Sequence, residues 1–135
     1  MTVVGIGVDA VDIERFRRSL ERTPSMRHRL FTPQEIADLD GRSDPVPGLA
    51  ARFAAREATM KALGVGLGAF GFHEVWVERR SSGEPLLMVT GAAHRLAQLA
   101  AVDRWHLSIT HTDTVAIAYV VASTLSAHSA GGSVT

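Results

Sequence analysis

Leu49-Ala50-Ala51-Arg52-Phe53-Ala54-Ala55-Arg56-Glu57-Ala58-Thr59-Met60-Lys61-Ala62-Leu63, followed by Gly64, is the stretch on which the fold turns. Alanine, leucine and methionine favour helix, and a glycine just past the last periodic residue is a stop signal. The spacing predicts a helix over 49–63. One stripe carries Leu49, Phe53, Met60 and Leu63, and the far side is Ala51, Ala55, Ala58 and Ala62. A helix that is apolar or small nearly all round is a buried helix. Its charges, Arg52, Arg56, Glu57 and Lys61, therefore stand out, because burying an ion is costly unless it is well partnered. Glu57 and Lys61 are one turn apart. They form either an ordinary i,i+4 pair contributing about 0.2–0.5 kcal/mol or part of a site.

Working outward, Val3 to Val8 reads as a buried strand: short, rich in β-branched residues and interrupted only by glycine. A helix is expected from about Val11 to Arg22, with Ile13, Phe16 and Leu20 on one face and Arg15, Arg18 and Arg22 on the other. Thr32-Pro33-Gln34-Glu35 is a capping box with proline at the first helical position. Gly41 to Gly48, with Pro45 and Pro47, reads as a loop, and Gly64 to Gly71 as a glycine-rich one. Glu74–Glu78 and Pro85–Val89 flank the turn Ser81-Ser82-Gly83-Glu84 as a hairpin. Gly91–Ala101 reads as a helix, and Trp105–Thr110 and Val115–Ala122 as strands. The class is α+β, a largely antiparallel sheet packed against the long buried helix. One domain spans 1–122, and the small, polar segment 123–135 is expected to be a disordered tail.

Bulk properties narrow the function. The 135 residues carry 14 basic and 14 acidic side chains, so the formal net charge is zero. A nucleic-acid binder would carry a basic excess, and no nucleic-acid partner is expected. The apolar runs are too short to span a bilayer, and the start of the chain lacks a basic region and reaches an acid early, at Asp9, so it does not read as a secretory signal. With no cysteine, disulfide and thiolate chemistry are excluded. These features suit a cytoplasmic protein. Lys61 is the only lysine beside thirteen arginines.

Three further constellations carry chemistry. Asp9, leaving the first strand in Gly5-Ile6-Gly7-Val8-Asp9, is either a ligand for a hard cation or the N-cap of the next helix. His111, in Ser108-Ile109-Thr110-His111-Thr112, either meets a phosphate or proton or is a hydrogen-bonded structural residue. His106 and His111 do not have zinc-site spacing. Gly64-Val65-Gly66-Leu67-Gly68 brings backbone N–H groups to hand but matches no P-loop. The arginine stripe of the first helix is either a docking face for an acidic protein or a solvated surface.

Together these blocks resemble the holo-acyl-carrier-protein synthase family of phosphopantetheinyl transferases. Gly5-Ile6-Gly7-Val8-Asp9, Arg52-Phe53-Ala54-Ala55-Arg56-Glu57 with Lys61-Ala62-Leu63-Gly64, and Ser108-Ile109-Thr110-His111-Thr112 occur in the family's order. Phe31-Thr32-Pro33-Gln34-Glu35 and Gly83-Glu84-Pro85 also fit. The likeness runs from Val3 to Ala122.

It implies a 4′-phosphopantetheinyl transferase-like fold and transfer of 4′-phosphopantetheine from coenzyme A to a serine of an apo acyl carrier protein, releasing 3′,5′-ADP. It implies Mg²⁺ held by Asp9 and Glu57, and Lys61 near the phosphates. It places Arg52, Phe53, Arg56, Gly64, Gly66, Pro85, His111 and Thr112 in the coenzyme A site, with Arg15, Arg18 and Arg22 docking the carrier. It also implies a homotrimer with sites shared between subunits. Arg56 departs from the family, which usually has lysine there; guanidinium keeps the charge but changes its geometry. The rival readings are a ribonuclease H-like metal-dependent nuclease, for which Asp113 is the nearest additional acid, and a carrier-binding module without chemistry.

Overall fold

The long helix is α4, Val46–Leu63. In the computed structural model, which describes residues 1–125, it is the element around which the others pack. It starts three residues earlier than its alanine-rich pattern. Pro45 and Pro47, read as loop residues, instead occupy the N-cap and first turn, where a missing N–H breaks no helical bond. Asp44 accepts from the Val46 N–H at 3.2 Å. The expected stop holds: Gly64 is left-handed, φ 69°.

Strand β1, Thr2–Asp12, runs four residues further than expected, and α1, Ile13–Arg22, begins correspondingly late. The N-cap is therefore Asp12, which accepts from the Arg15 N–H at 2.8 Å. This corrects the capping alternative for Asp9, which lies within the strand opposite Ala118. A short helix, α2 (Met26–Leu30), follows; five residues are too few to show a period. The capping box opens α3, Pro33–Leu39, with both of its hydrogen bonds formed.

The hairpin forms from β2, Val75–Arg79, and β3, Pro85–Val89. A 3₁₀ turn at Phe72–Glu74 precedes it, and α5, Gly91–Leu99, follows. Glu74 accepts from the N–H groups of Gly71 and Ala92. Those bonds hold its carboxyl below the ordinary carboxylate range and tie the turn to the start of α5.

Strands β4, Arg104–His111, and β5, Val115–Thr124, complete a three-stranded antiparallel sheet of order β1-β5-β4. Ser123 and Thr124, assigned to the tail from sequence, are strand residues and fully buried. The remainder of that proposed tail, from residue 126, lies outside the described residues.

One core cluster joins the C-terminal half of α4 to both sheets and α5; the other joins its N-terminal half to α1–α3. Strand β1 lies directly on α4. A Cβ at Gly5 would stand 1.9 Å from the Ala62 carbonyl oxygen, and one at Gly7 1.8 Å from that of Ala58. On the other face of the sheet, Val4, Ile6, Val8 and Tyr119 are exposed. Among the described residues no helix is long and apolar enough to cross a membrane.

Candidate active site

The close seat of β1 on α4 brings Asp9 to the helix face that carries Glu57 and Lys61. Lys61 Nζ donates to the Val8 carbonyl at 3.0 Å and to Asp9 Oδ1 at 3.1 Å. The anticipated i,i+4 partner, Glu57, is not its hydrogen-bonding mate. Burial pushes the Glu57 carboxyl above the ordinary range, the Asp9 charge adds to the rise, and Lys61 opposes it. Two carboxylates of like charge and one ammonium thus share one place.

Asp9 and Glu57 line a groove of about 630 Å³ between α1, α2 and α4. Its walls are apolar, with Phe16, Met26, Leu30, Phe53, Leu67 and Phe72, and Arg15 and Arg29 stand among the acids and aromatics. Phe53 packs between Phe16 and Phe72, with ring centroids 5.4 and 6.4 Å away. Met26, Arg29 and Leu30 were missed in sequence because α2 itself was missed.

The remaining predicted residues fall elsewhere. Arg52, His111, Arg42 and Arg79 surround a small pocket of about 60 Å³. Arg52 is 1% exposed. Its Nη1 donates to the Gly48 carbonyl at 3.3 Å, while Nε and Nη2 have no hydrogen-bond partner. Burial pushes its guanidinium downward, and the charges of Arg79 and Arg42 add to this against Glu35 and Asp38. His111 Nδ1 lies 3.3 Å from the Thr112 carbonyl, which directs a proton to Nδ1 and leaves Nε2 for another partner. Thr112 Oγ1 accepts from the N–H groups of Thr114 and Val115, so it shapes the β4–β5 turn. Pro85 borders a separate cleft with Arg80, Arg104 and Trp105. Gly66 has open space around it.

Arg56 is tied into the fold. It is fully buried, and all its donor nitrogens are engaged within the chain. Nη2 and Nη1 bind the Glu35 carboxylate at 2.5 and 3.0 Å, Nη1 also meets the Arg52 carbonyl, and Nε donates to the Phe72 carbonyl at 2.8 Å. These bonds use four of the five N–H donors of the guanidinium. Glu35, visible in sequence only as a capping-box member, also accepts from the Thr32 and Val77 N–H groups. It joins α3, α4 and β2 at one buried point.

On α1, Arg17 is bound to Asp44 and Glu14, whereas the Arg15, Arg18 and Arg22 side chains are exposed and in no salt bridge among the described residues.

Residues 5–120 match the family model of the 4′-phosphopantetheinyl transferase superfamily. A holo-(acyl-carrier-protein) synthase of Micrococcus luteus is 46% identical over 122 residues, covering 89% of this chain and 91% of that protein. The chain belongs to the holo-acyl-carrier-protein synthase family.

Solved synthases share its architecture. The enzyme of Neisseria meningitidis superposes with a TM-score of 0.81 at 31% identity, covering 90% of this chain and 99% of that one. The synthase of Bacillus anthracis, solved in complex with coenzyme A (3′,5′-ADP), gives 0.76 at 29% identity, covering 92% and 99%. The α+β fold, antiparallel sheet against a long helix, is that of the synthase family. The nuclease alternative falls with this assignment. Among the described residues no cluster of three or more acids and histidines could hold a metal, and Asp113 sits outside the strands, between β4 and β5.

Proposed function

We infer that this synthase-family chain transfers the 4′-phosphopantetheine group of coenzyme A to a serine hydroxyl of an apo acyl carrier protein. The serine oxygen attacks the β-phosphorus. The bond from that phosphorus to the bridging oxygen breaks, and 3′,5′-ADP leaves. The observation that carries the reading is the meeting of Asp9, Glu57 and Lys61 at one groove, in a chain that matches the transferase family over residues 5–120.

The donor set fits Mg²⁺. Asp9 and Glu57 offer two carboxylates at the groove, which suits an ion that keeps water and phosphate oxygens as its other ligands. Asp9 and Glu57 would hold it, and it would supply charge neutralisation on the pyrophosphate. Lys61 adds positive charge at the same place. Glu57, whose carboxyl is raised by burial and by Asp9, is the group to accept the serine proton. The apolar wall with Phe53 gives the reacting groups a partly dry setting.

The basic pocket of Arg52, Arg42, Arg79 and His111 is suited to a phosphate of coenzyme A, since the buried Arg52 nitrogens need an acceptor. Its lining shares no residue with the groove. The exposed apolar sheet face of Val4, Ile6, Val8 and Tyr119 offers a self-association surface. Both features support a homotrimer in which one subunit's basic pocket serves its neighbour's groove. Arg15, Arg18 and Arg22 dock the acidic carrier, and the setting is cytoplasmic.

The test is intact-protein mass spectrometry of an apo carrier incubated with the chain, coenzyme A and Mg²⁺, with an EDTA control. Metal-dependent gain of one phosphopantetheinyl group is expected, together with its loss in Glu57→Gln. Near-normal turnover by that variant removes Glu57 from the site, and absence of coenzyme A binding removes the reading. Light scattering should give three times the 14.5 kDa chain mass.

A further inference from the structure

We propose that Gly7 is a positioning residue: it sets the spacing between Asp9 and Glu57 by letting β1 rest on the main chain of α4. The proposal rests on the transferase reading above and adds to it a residue that touches neither substrate nor metal.

Side chains along a strand alternate between its faces, so Gly5, Gly7 and Asp9 share the side of β1 toward α4. A Cβ on Gly7 would lie 1.8 Å from the Ala58 carbonyl oxygen, 2.7 Å from its carbon and 2.9 Å from the Ala62 nitrogen. All three atoms are helix backbone, which cannot rotate aside as a side chain can. Nor can the helix retreat: Ala54, Ala55 and Ala58 have no exposed surface and belong to the close-packed core with Val75 and Val77. A methyl group at residue 7 must therefore lift the strand by an ångström or more.

Ala58 adjoins Glu57 in the chain and lies within the turn that ends at Lys61. Asp9 is two residues beyond Gly7. The lift is thus applied between the two carboxylates. Lys61 responds to the same displacement, because its Nζ is bound to the Val8 carbonyl as well as to Asp9. A misplacement of about 1 Å is enough to cost on the order of 10²-fold in rate.

Gly5 supplies the internal control. Its obstruction is equally severe, 1.9 Å from the Ala62 oxygen, but it lies two residues further from Asp9 and against the end of the helix. If Gly7 sets the spacing, Gly5→Ala costs stability while leaving the acid pair in register.

The experiment compares Gly7→Ala and Gly5→Ala in the full chain. It measures folding by circular dichroism and thermal melting, affinity for Mn²⁺ alone by electron paramagnetic resonance, and kcat and KM for coenzyme A and an apo carrier. Gly7→Ala should lose about 10²-fold in kcat and bind Mn²⁺ several-fold more weakly, with KM for the carrier little changed. Gly5→Ala should melt lower but keep Mn²⁺ affinity and kcat within a few-fold. A folded Gly7→Ala protein with parental kcat and Mn²⁺ affinity overturns the proposal, as does an equal loss in both variants. Should Gly7→Ala fail to fold, Gly5→Ala decides: retained Mn²⁺ affinity supports local control at Gly7, and a collapse comparable to that expected for Gly7 refutes it. If the parent itself neither binds Mn²⁺ nor transfers the group, the transferase reading falls and takes this proposal with it. An active parent with an unaffected Gly7→Ala variant removes the proposal alone.

Discussion

Arg52 and Arg56 stand one turn apart on α4, are 1% and 0% exposed, and belong to the same sequence motif. Arg56 has Glu35 as a two-point partner and the Phe72 and Arg52 carbonyls besides, with the Phe31 ring 5.1 Å from its guanidinium. Arg52 has one long bond to a carbonyl and two nitrogens without partners beside a pocket lined by two more arginines and a histidine. A buried charge with its counter-charge in place holds a fold together, at little net gain over a well-packed apolar group. A buried charge without one is tolerated where an anion is to arrive. Burial alone does not tell a site from a brace; the hydrogen-bond inventory does.

The largest effect is expected from breaking the satisfied arginine. Glu35→Ala leaves Arg56 buried and uncompensated, and the urea midpoint should fall by the equivalent of about 3–5 kcal/mol. A variant as stable as the parent would show that the pair is not the brace described. Arg52→Met should behave in the opposite sense. Losing a buried, poorly satisfied charge leaves stability within about 1 kcal/mol or raises it. The KM for coenzyme A should meanwhile rise about tenfold or more, the size of a lost hydrogen bond to a charged group. If Arg52→Met unfolds with unchanged KM, the two arginines do not differ as claimed.

A smaller effect should separate them without chemistry. Inorganic phosphate should raise the melting temperature of the parent and leave Arg52→Met nearly unmoved, since only a ligand that binds the folded state stabilises it. An equal rise in both would mean the phosphate binds elsewhere.

The smallest contrast lies at Glu57, next to Arg56 in the chain. Its carboxyl is raised by burial first and by Asp9 second, so it keeps its proton to a higher pH than an ordinary glutamate. In the metal-free protein, carboxyl NMR should find Glu57 titrating above the usual glutamate value of about 4.3. Above its unfolded-state pKa, ionised Glu57 opposes folding, so Glu57→Gln should melt no lower than the parent at neutral pH. Lys61→Met removes the opposing charge and should move that metal-free titration further upward.

Much of this was legible in the chain. The alanine-rich run predicted α4 and its burial, Gly64 its end, and Thr32 to Glu35 the start of α3 with both capping bonds. The ordered motifs led to the family and singled out Asp9, Glu57 and Lys61. The errors share one cause: local signals were read without the partner that overrides them. Prolines 45 and 47 look like breakers until a helix start places them where no N–H is needed. Asp9 looks like a cap until β1 is seen to continue to Asp12 along β5. Arg56 carries no local sign of its partner, because Glu35 lies twenty-one residues away in sequence. The basic pocket was only half visible. Arg42 and Arg79 come from a loop and a strand end with no pattern to mark them, and only tertiary packing brings them to Arg52 and His111.

The solitary lysine has a practical consequence. Apart from the chain's own amino terminus, the protein offers a single primary amine, with more than half of its side-chain surface exposed, and that amine lies at the acid pair. On the transferase reading, an acylating label aimed at amines thus becomes an active-site titrant. One adduct mass on the peptide containing residue 61 should track the loss of turnover mole for mole, and coenzyme A should shield it. The same arithmetic warns against coupling the chain to a sensor surface through its lysine, since that would immobilise the protein by the very group whose chemistry is to be measured.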